Sequence, residues 1–204
     1  MKVSGYVQAG GGSTRFGGDK ALSRLGAKTM LARTVELVTA ACGSARIVAA
    51  LGKYAGASTT LVEDRWPGEG PLGGILTALY ESQSGPTKVE WNLIVSCDMP
   101  FLAARWLAFL CERASLSAAQ VVVPQSAGGL EPLCACWRTD SVTVVQAAFD
   151  SGVRKVTEAM KHLRMEVLDE SVWKRFDTDG RLFWNMNTPA DYDEARRIFE
   201  SRER

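Results

Sequence analysis

The chain has 204 residues, with 24 Lys and Arg against 23 Asp and Glu, so its formal net charge is +1. A chain of that length buries roughly 70% of its unfolded surface, enough for one self-sufficient core over residues 1–204. The balanced charge argues against a nucleic-acid binder, which would show a basic excess, and no apolar run approaches the ~20 residues of a membrane span.

Taken in chain order, short apolar runs alternate with helical patterns. The opening MKVSGYVQ is broken by polar residues and runs into glycines, which does not suit a secretory signal, so a cytoplasmic protein is expected. Val3 to Ala9 reads as a strand. In Met30 to Cys42, Leu31, Val35 and Val38 share a helical face, and Gly43 is a suitable stop. Arg46–Leu51 and Thr59–Val62 read as strands, Leu72–Glu81 as a helix opened by Pro71, and Trp91–Cys97 as a buried strand. Ala103–Arg113 is helical, Gln120–Pro124 and Leu133–Arg138 are strands, and Ser141–Phe149 and Lys155–Leu163 are helices. Met165–Leu168 is strand-like, and Thr188-Pro189-Ala190-Asp191 supplies a cap, a first-turn proline and an acid for a last helix.

This alternation predicts an α/β fold: a three-layer, mostly parallel, Rossmann-like sheet with helices on both faces. Such sheets bind ligands beyond the carboxyl ends of their strands. The informative residues are therefore Gly10 to Lys20, Asp64 to Gly74, Asp98, and Asn185 to Asn187.

Five cysteines (Cys42, Cys97, Cys111, Cys134, Cys136) are an odd number without framework spacing and suit reduced thiols. Cys134 and Cys136 would share one strand face, but two sulfurs are not a zinc site. His162 is the one histidine, so a Ser-His-Asp triad would have to be built around it.

The segment from Gln8 to Lys20 (QAGGGSTRFGGDK) is the strongest signal. Consecutive glycines after a strand let backbone N–H groups turn toward an anion. A Walker loop counted from Gly12 finds Gly18 where its lysine belongs, and a dinucleotide fingerprint from Gly10 finds Arg15 where its third glycine belongs. What remains is a polyphosphate cradle carrying two cations, Arg15 and Lys20.

This stretch resembles the opening signature of the molybdenum cofactor guanylyltransferase family, matching at Ala9, Gly10, Gly11, Ser13, Arg15, Phe16, Gly17, Asp19 and Lys20 and departing at Gln8. Further blocks resemble the family in order: Glu63-Asp64, Gly70-Pro71-Leu72-Gly73-Gly74-Ile75, Cys97-Asp98-Met99-Pro100, Glu131-Pro132-Leu133, Gly152-Val153-Arg154-Lys155 and Asn185-Met186-Asn187-Thr188-Pro189. A family asparagine aligns with Ala50.

The resemblance implies transfer of GMP from GTP to molybdopterin with release of pyrophosphate, dependent on Mg²⁺. Molybdoenzymes or cofactor chaperones would be transient partners, with no nucleic acid and no membrane involved. It implies Arg15, Lys20 and Asp98 as catalytic residues, with Asp98 as metal ligand. Gln8, Ala9, Gly10, Gly11, Lys20, Asp64 and Asp98 would bind the nucleotide. Asn185 and Asn187 are assigned to the pterin side, and Arg154-Lys155 is a candidate for the second substrate's phosphate. Asp98 also reads as a helix N-cap and Asp64 as an Asx turn. Trp66 is the tryptophan placed to stack on a pterin. Competing readings are a molybdopterin cytidylyltransferase, a sugar-phosphate nucleotidyltransferase, and a non-catalytic nucleotide-binding or docking protein.

Overall fold

The computed structural model describes residues 2–10, 18–86 and 88–202. β1 (Val3–Gln8) is followed by a 3-10 turn at Lys20–Leu22, a hairpin of β2 (Arg24–Leu25) and β3 (Lys28–Thr29), α1 (Met30–Cys42), β4 (Ala45–Ala49) and β5 (Thr60–Glu63). Next come α2 (Pro71–Ser84), β6 (Trp91–Ser96), α3 (Ala104–Ser115), β7 (Val121–Ser126), β8 (Gly129–Leu130) and β9 (Cys134–Arg138). α4 (Val142–Asp150), α5 (Val156–Met160), β10 (Met165–Leu168), α6 (Glu170–Trp173) and α7 (Pro189–Arg202) complete the order.

Local chemistry sets the helix ends. The Thr29 hydroxyl accepts the Ala32 N–H at 3.2 Å to start α1, and Gly43, at φ 79°, closes it. Pro71 occupies the first turn of α2, where its missing N–H costs nothing. At α7 the predicted cap is present: Asp191 Oδ2 accepts the N–H groups of Asn187 and Thr188, and the Thr188 hydroxyl accepts that of Asp191.

The main sheet runs β10-β7-β9-β6-β1-β4-β5, with β8 paired to β7. Its pairs are parallel except for β9, which is antiparallel to both β6 and β7, and β8, which is antiparallel to β7. The cause is the short link 127–133: a parallel return needs a crossover of a dozen residues or more, so the chain turns straight back.

Side-chain alternation divides the core. Val7, Ile47, Leu93 and Val95 face α1 and α3 with Leu31, Val38, Trp106 and Leu110. Tyr6, Val48, Ile94 and Val121 face α2, α4 and α5 with Leu72, Ile75, Val145 and Met160. The three layers expected from the sequence are present. A satellite cluster of Leu25, Met30, Met186, Ala195 and Phe199 fastens α7 beside the hairpin.

One reading needs correction, and two short elements are new. The helix expected over Lys155–Leu163 stops at Met160, where Leu163 N–H turns back to the Met160 carbonyl at 2.9 Å and Leu163 drops into the second core. The β2–β3 hairpin and α6 are too short to leave a periodic signal. Among the described residues no helix is long and apolar enough to cross a membrane.

Candidate functional site

β1 lies between β4 and β6, so the chain leaves it in one direction and later returns on its other side. Beyond the carboxyl ends of β1 and β6 this reversal opens a crevice. Gln8 is level with Ser96, which sets Ala9 and Gly10 beside Cys97 and Asp98. Gly10, at φ 108°, holds a backbone shape that side chains disfavour.

Gln8 lies under the start of α2, its amide donating to the Pro71 carbonyl at 3.0 Å. A Cβ at Gly74 would fall 2.0 Å from the Gln8 nitrogen, so a side chain there would displace the Gln8 amide. Gln8 Oε1 is buried and has no hydrogen-bond partner.

Lys20 is the best-held cation of the crevice. Its ammonium donates to the Met186 carbonyl and to Asn187 Oδ1, both at 3.0 Å, and stands 3.8 Å from Asp98 Oδ2. Met186 is fully buried in the satellite cluster, and its N–H is tied to the Asp98 carbonyl at 2.8 Å. A segment late in the chain thus braces a lysine near its start.

Asp98 does not cap a helix: α3 begins at Ala104 with Ala103 at the cap position. Its Oδ1 is buried without a hydrogen-bond partner among the described residues. A buried carboxylate oxygen lacking a donor is costly, and a cation removes that cost. The Asp98 charge is felt by its neighbours. Burial, and secondarily the Asp98 charge, raises the Glu131 carboxyl above its ordinary value, against the pull of its hydrogen bond from the Ser126 hydroxyl at 2.6 Å. Burial, with help from Asp98 and Asp19, pushes the Cys97 thiol up to about 12, so it stays neutral. Among the described residues no cluster of three His, Cys, Asp or Glu forms a closed metal cage. That donor set fits a divalent cation which takes one or two carboxylates and completes its shell with phosphate and water.

Asp64 is placed differently. Its Oδ1 accepts the Trp66 N–H at 3.1 Å and the Thr77 hydroxyl at 3.0 Å, the Asx-turn geometry. Asn187 joins Lys20, whereas Asn185 donates to the Phe183 carbonyl at 3.3 Å, so the two amides take different partners. Trp66 packs on Phe149 and Tyr80, with ring centroids 5.5 and 6.0 Å apart, which gives it a structural place. Arg154 pairs with Glu69 at 2.5 Å and donates to the Phe149 carbonyl at 2.8 Å, tying the segment before α2 to the end of α4. Gly11 and Arg15 lie outside the described residues.

Sequence reasoning did not single out the residues around Asp19. Asp19 caps the turn that carries Lys20, accepting the Ala21 N–H at 3.0 Å. The Tyr54 hydroxyl stands 3.0 and 2.8 Å from its two oxygens, and Lys53 Nζ is 3.6 Å from Oδ2. The Gly-x-Asp-Lys spelling pointed at Asp19, but nothing in the sequence announced Tyr54 as its partner.

The chain resembles known proteins over nearly its full length. A family model described as the MobA-like NTP transferase domain matches residues 5–165. A probable molybdenum cofactor guanylyltransferase of Chloroflexus aggregans is 31% identical over 198 residues, covering 94% of this chain and 92% of the relative. A molybdenum cofactor guanylyltransferase of Desulfosudis oleivorans is 31% identical over 195 residues, covering 95% and 94%. In fold the chain is similar to the crystal structure of molybdopterin-guanine dinucleotide biosynthesis protein A from Archaeoglobus fulgidus. The TM-score is 0.81 at 22% identity, over 98% of this chain and all of that one.

Proposed function

Because this chain belongs to the MobA-like NTP transferase family, we propose that it transfers GMP from GTP to molybdopterin, forming the guanine dinucleotide cofactor and releasing pyrophosphate. The observation that carries this reading is the Asp98–Lys20 pair at the switch point, with Asp98 Oδ1 buried and unpartnered. The whole chain acts as one nucleotidyltransferase domain.

The reaction joins two polyanions, so positioning and charge neutralisation do most of the work. Gln8, Ala9, Gly10 and Gly11 bind the nucleotide in this reading, the first three through their backbone, and Asp64 binds the same ligand. Lys20, held by Met186 and Asn187, presents a fixed positive charge to the α-phosphate or the departing pyrophosphate. Arg15 adds a second cation from the loop. Asp98 is the residue that would hold a divalent cation, Mg²⁺ in this reading, which when bound neutralises phosphate oxygens. Asn187 serves the pterin side through Lys20, and Asn185 borders it. Molybdoenzymes or their cofactor chaperones receive the product.

The test is pyrophosphate release from each of the four NTPs with Mg²⁺, with and without molybdopterin. Release specific to GTP and dependent on the pterin supports the proposal. Release with CTP alone moves the chain to cytidylyl transfer, and tight nucleotide binding without release would overturn catalysis.

A further inference from the structure

Lys20 is fixed at both ends, and the two ends are fixed by unrelated parts of the chain. Its ammonium is held by Met186 and Asn187. Its backbone starts a 3-10 turn of three residues, too short to hold its own direction, so the anchor must come from Asp19. One oxygen of Asp19 takes the Ala21 N–H, and both lie within hydrogen-bond distance of the Tyr54 hydroxyl. A carboxylate held by a cap at one oxygen and a phenol across both has little freedom to rotate.

Tyr54 reaches that place at a conformational cost. It has φ 57°, the one non-glycine residue with positive φ among the described residues. A bulky residue in the left-handed region is strained, and such strain persists where surrounding contacts over-determine it. Gly52, at φ 78°, starts the same turn, and the Ala57 N–H returns to the Tyr54 carbonyl at 2.8 Å. The ring packs on the first core, which fixes where the hydroxyl points. Burial, and then the Asp19 carboxylate, raises the phenol far above its ordinary range, so it remains a donor at every working pH.

We propose that Tyr54 is a positioning residue for nucleotidyl transfer: its hydroxyl clamps Asp19, and Asp19 sets the turn that aims Lys20 at the phosphates. The proposal rests on the functional reading above and deepens it. Tyr54 itself touches no reacting atom. Lys53 completes the clamp as a counter-charge to Asp19, and its ammonium lies 3.9 Å from where a Cβ on Gly10 would stand, at the rim of the cradle.

The experiment compares wild type, Tyr54→Phe, Lys20→Ala and the double variant by GTP- and pterin-dependent pyrophosphate release. Tyr54→Phe keeps the ring, so its melting temperature should stay near wild type while kcat falls roughly ten- to a hundredfold, the scale of one hydrogen bond to a charged group. KM for GTP should move by less than about threefold. In the Lys20→Ala background the same substitution should cost less than about twofold, because the lysine it aims is gone. Full additivity, or a Tyr54→Phe enzyme with wild-type kcat, overturns the proposal. Should Tyr54→Phe melt early, Asp19→Asn carries the test: it keeps a cap on the Ala21 N–H, weakens the grip of the phenol, and should show the same dependence on Lys20.

A second readout needs no turnover. Acylation of Lys20 by an amine-reactive ester, followed by mass spectrometry on substrate-free protein, should be faster in Tyr54→Phe, since a loosened turn frees the ammonium from Met186 and Asn187. Unchanged Lys20 labelling sinks the clamp. Absence of GTP turnover by wild type sinks the functional reading while leaving this readout intact.

Discussion

Asp64 and Asp98 occupy equivalent places, each an aspartate just past the carboxyl end of a parallel strand, and their surroundings satisfy them to different degrees. Asp64 Oδ1 is bonded to the Trp66 N–H and the Thr77 hydroxyl, and Thr77 in turn accepts the Arg65 N–H. That carboxylate locks its own loop to α2. Asp98 Oδ1 is buried with no donor, and Oδ2 has only Lys20 at 3.8 Å. Residue type and position do not distinguish these two carboxylates; the count of donors already in place does. An unsatisfied buried acceptor costs about 1–3 kcal/mol, more when charged, and is retained where a ligand recovers it.

The strongest way to break this contrast is Asp98→Asn. Losing the carboxylate whose Oδ1 is buried without a donor among the described residues should cut turnover about a thousandfold, the upper range for removing a charge-stabilising group. Melting should change little, because the variant removes a buried oxygen that lacks a donor together with a loose ion pair to Lys20 at 3.8 Å. Wild-type pyrophosphate release from this variant would end the distinction. Lys20→Ala should follow at about a hundredfold in turnover, with circular dichroism unchanged.

Asp64→Ala should show the reverse pattern. Removing an acceptor used by a buried hydroxyl and a backbone N–H should cost about 2 kcal/mol, or about 4–8 °C in melting temperature for a chain this size. Its kcat should remain within a few-fold, with a rise in KM for GTP. Thr77→Val is gentler, about 1 kcal/mol and 2–4 °C, since it conserves volume and removes only the hydroxyl bridge. Calorimetry beside steady-state kinetics separates the two patterns. If Asp64→Ala lost turnover as Asp98→Asn does, the carboxylates would not differ in the way the geometry says.

How far the sequence reveals this follows from where each signal lives. The strands and helices of the sheet are legible because their alternation is carried within each segment; Met30–Cys42 with its Gly43 stop is the clearest. Asp98 and Lys20 stand out because a glycine loop and a strand end are local features. The antiparallel run of β9 is written in the length of the link before it and not in the strand's own residues, so periodicity does not reveal it. Tyr54 and Met186 are also hidden. A tyrosine in a turn and a methionine between two asparagines acquire roles only when folding brings them to Asp19 and Lys20. At Asp64 a family-like spelling leaves open two uses of one carboxylate, and the fold shows the Asx turn, made through Oδ1.

A third carboxylate sharpens the contrast at its smallest scale. Asp191 is structural like Asp64, yet it acts on the site, since its Oδ2 accepts the N–H of Asn187, whose side chain holds Lys20. Burial alone would raise its carboxyl, but the N–H groups of Asn187 and Thr188, the Thr188 hydroxyl and the Lys20 charge together hold it below its ordinary value. A depressed carboxylate contributes stability that is present above the unfolded value of about 3.9 and is lost as pH falls through the folded one. Asp191→Ala should therefore lower the melting temperature by about 2–4 °C at pH 7, the scale of one helix cap. The gap to wild type should begin to close near pH 4 and vanish below the depressed value. Turnover at pH 7 should fall only a few-fold, because Met186 keeps its own hold on Lys20. A melting gap that stayed constant down to pH 3 would mean the cap acts through shape and not charge, and Asp191 would then leave the comparison.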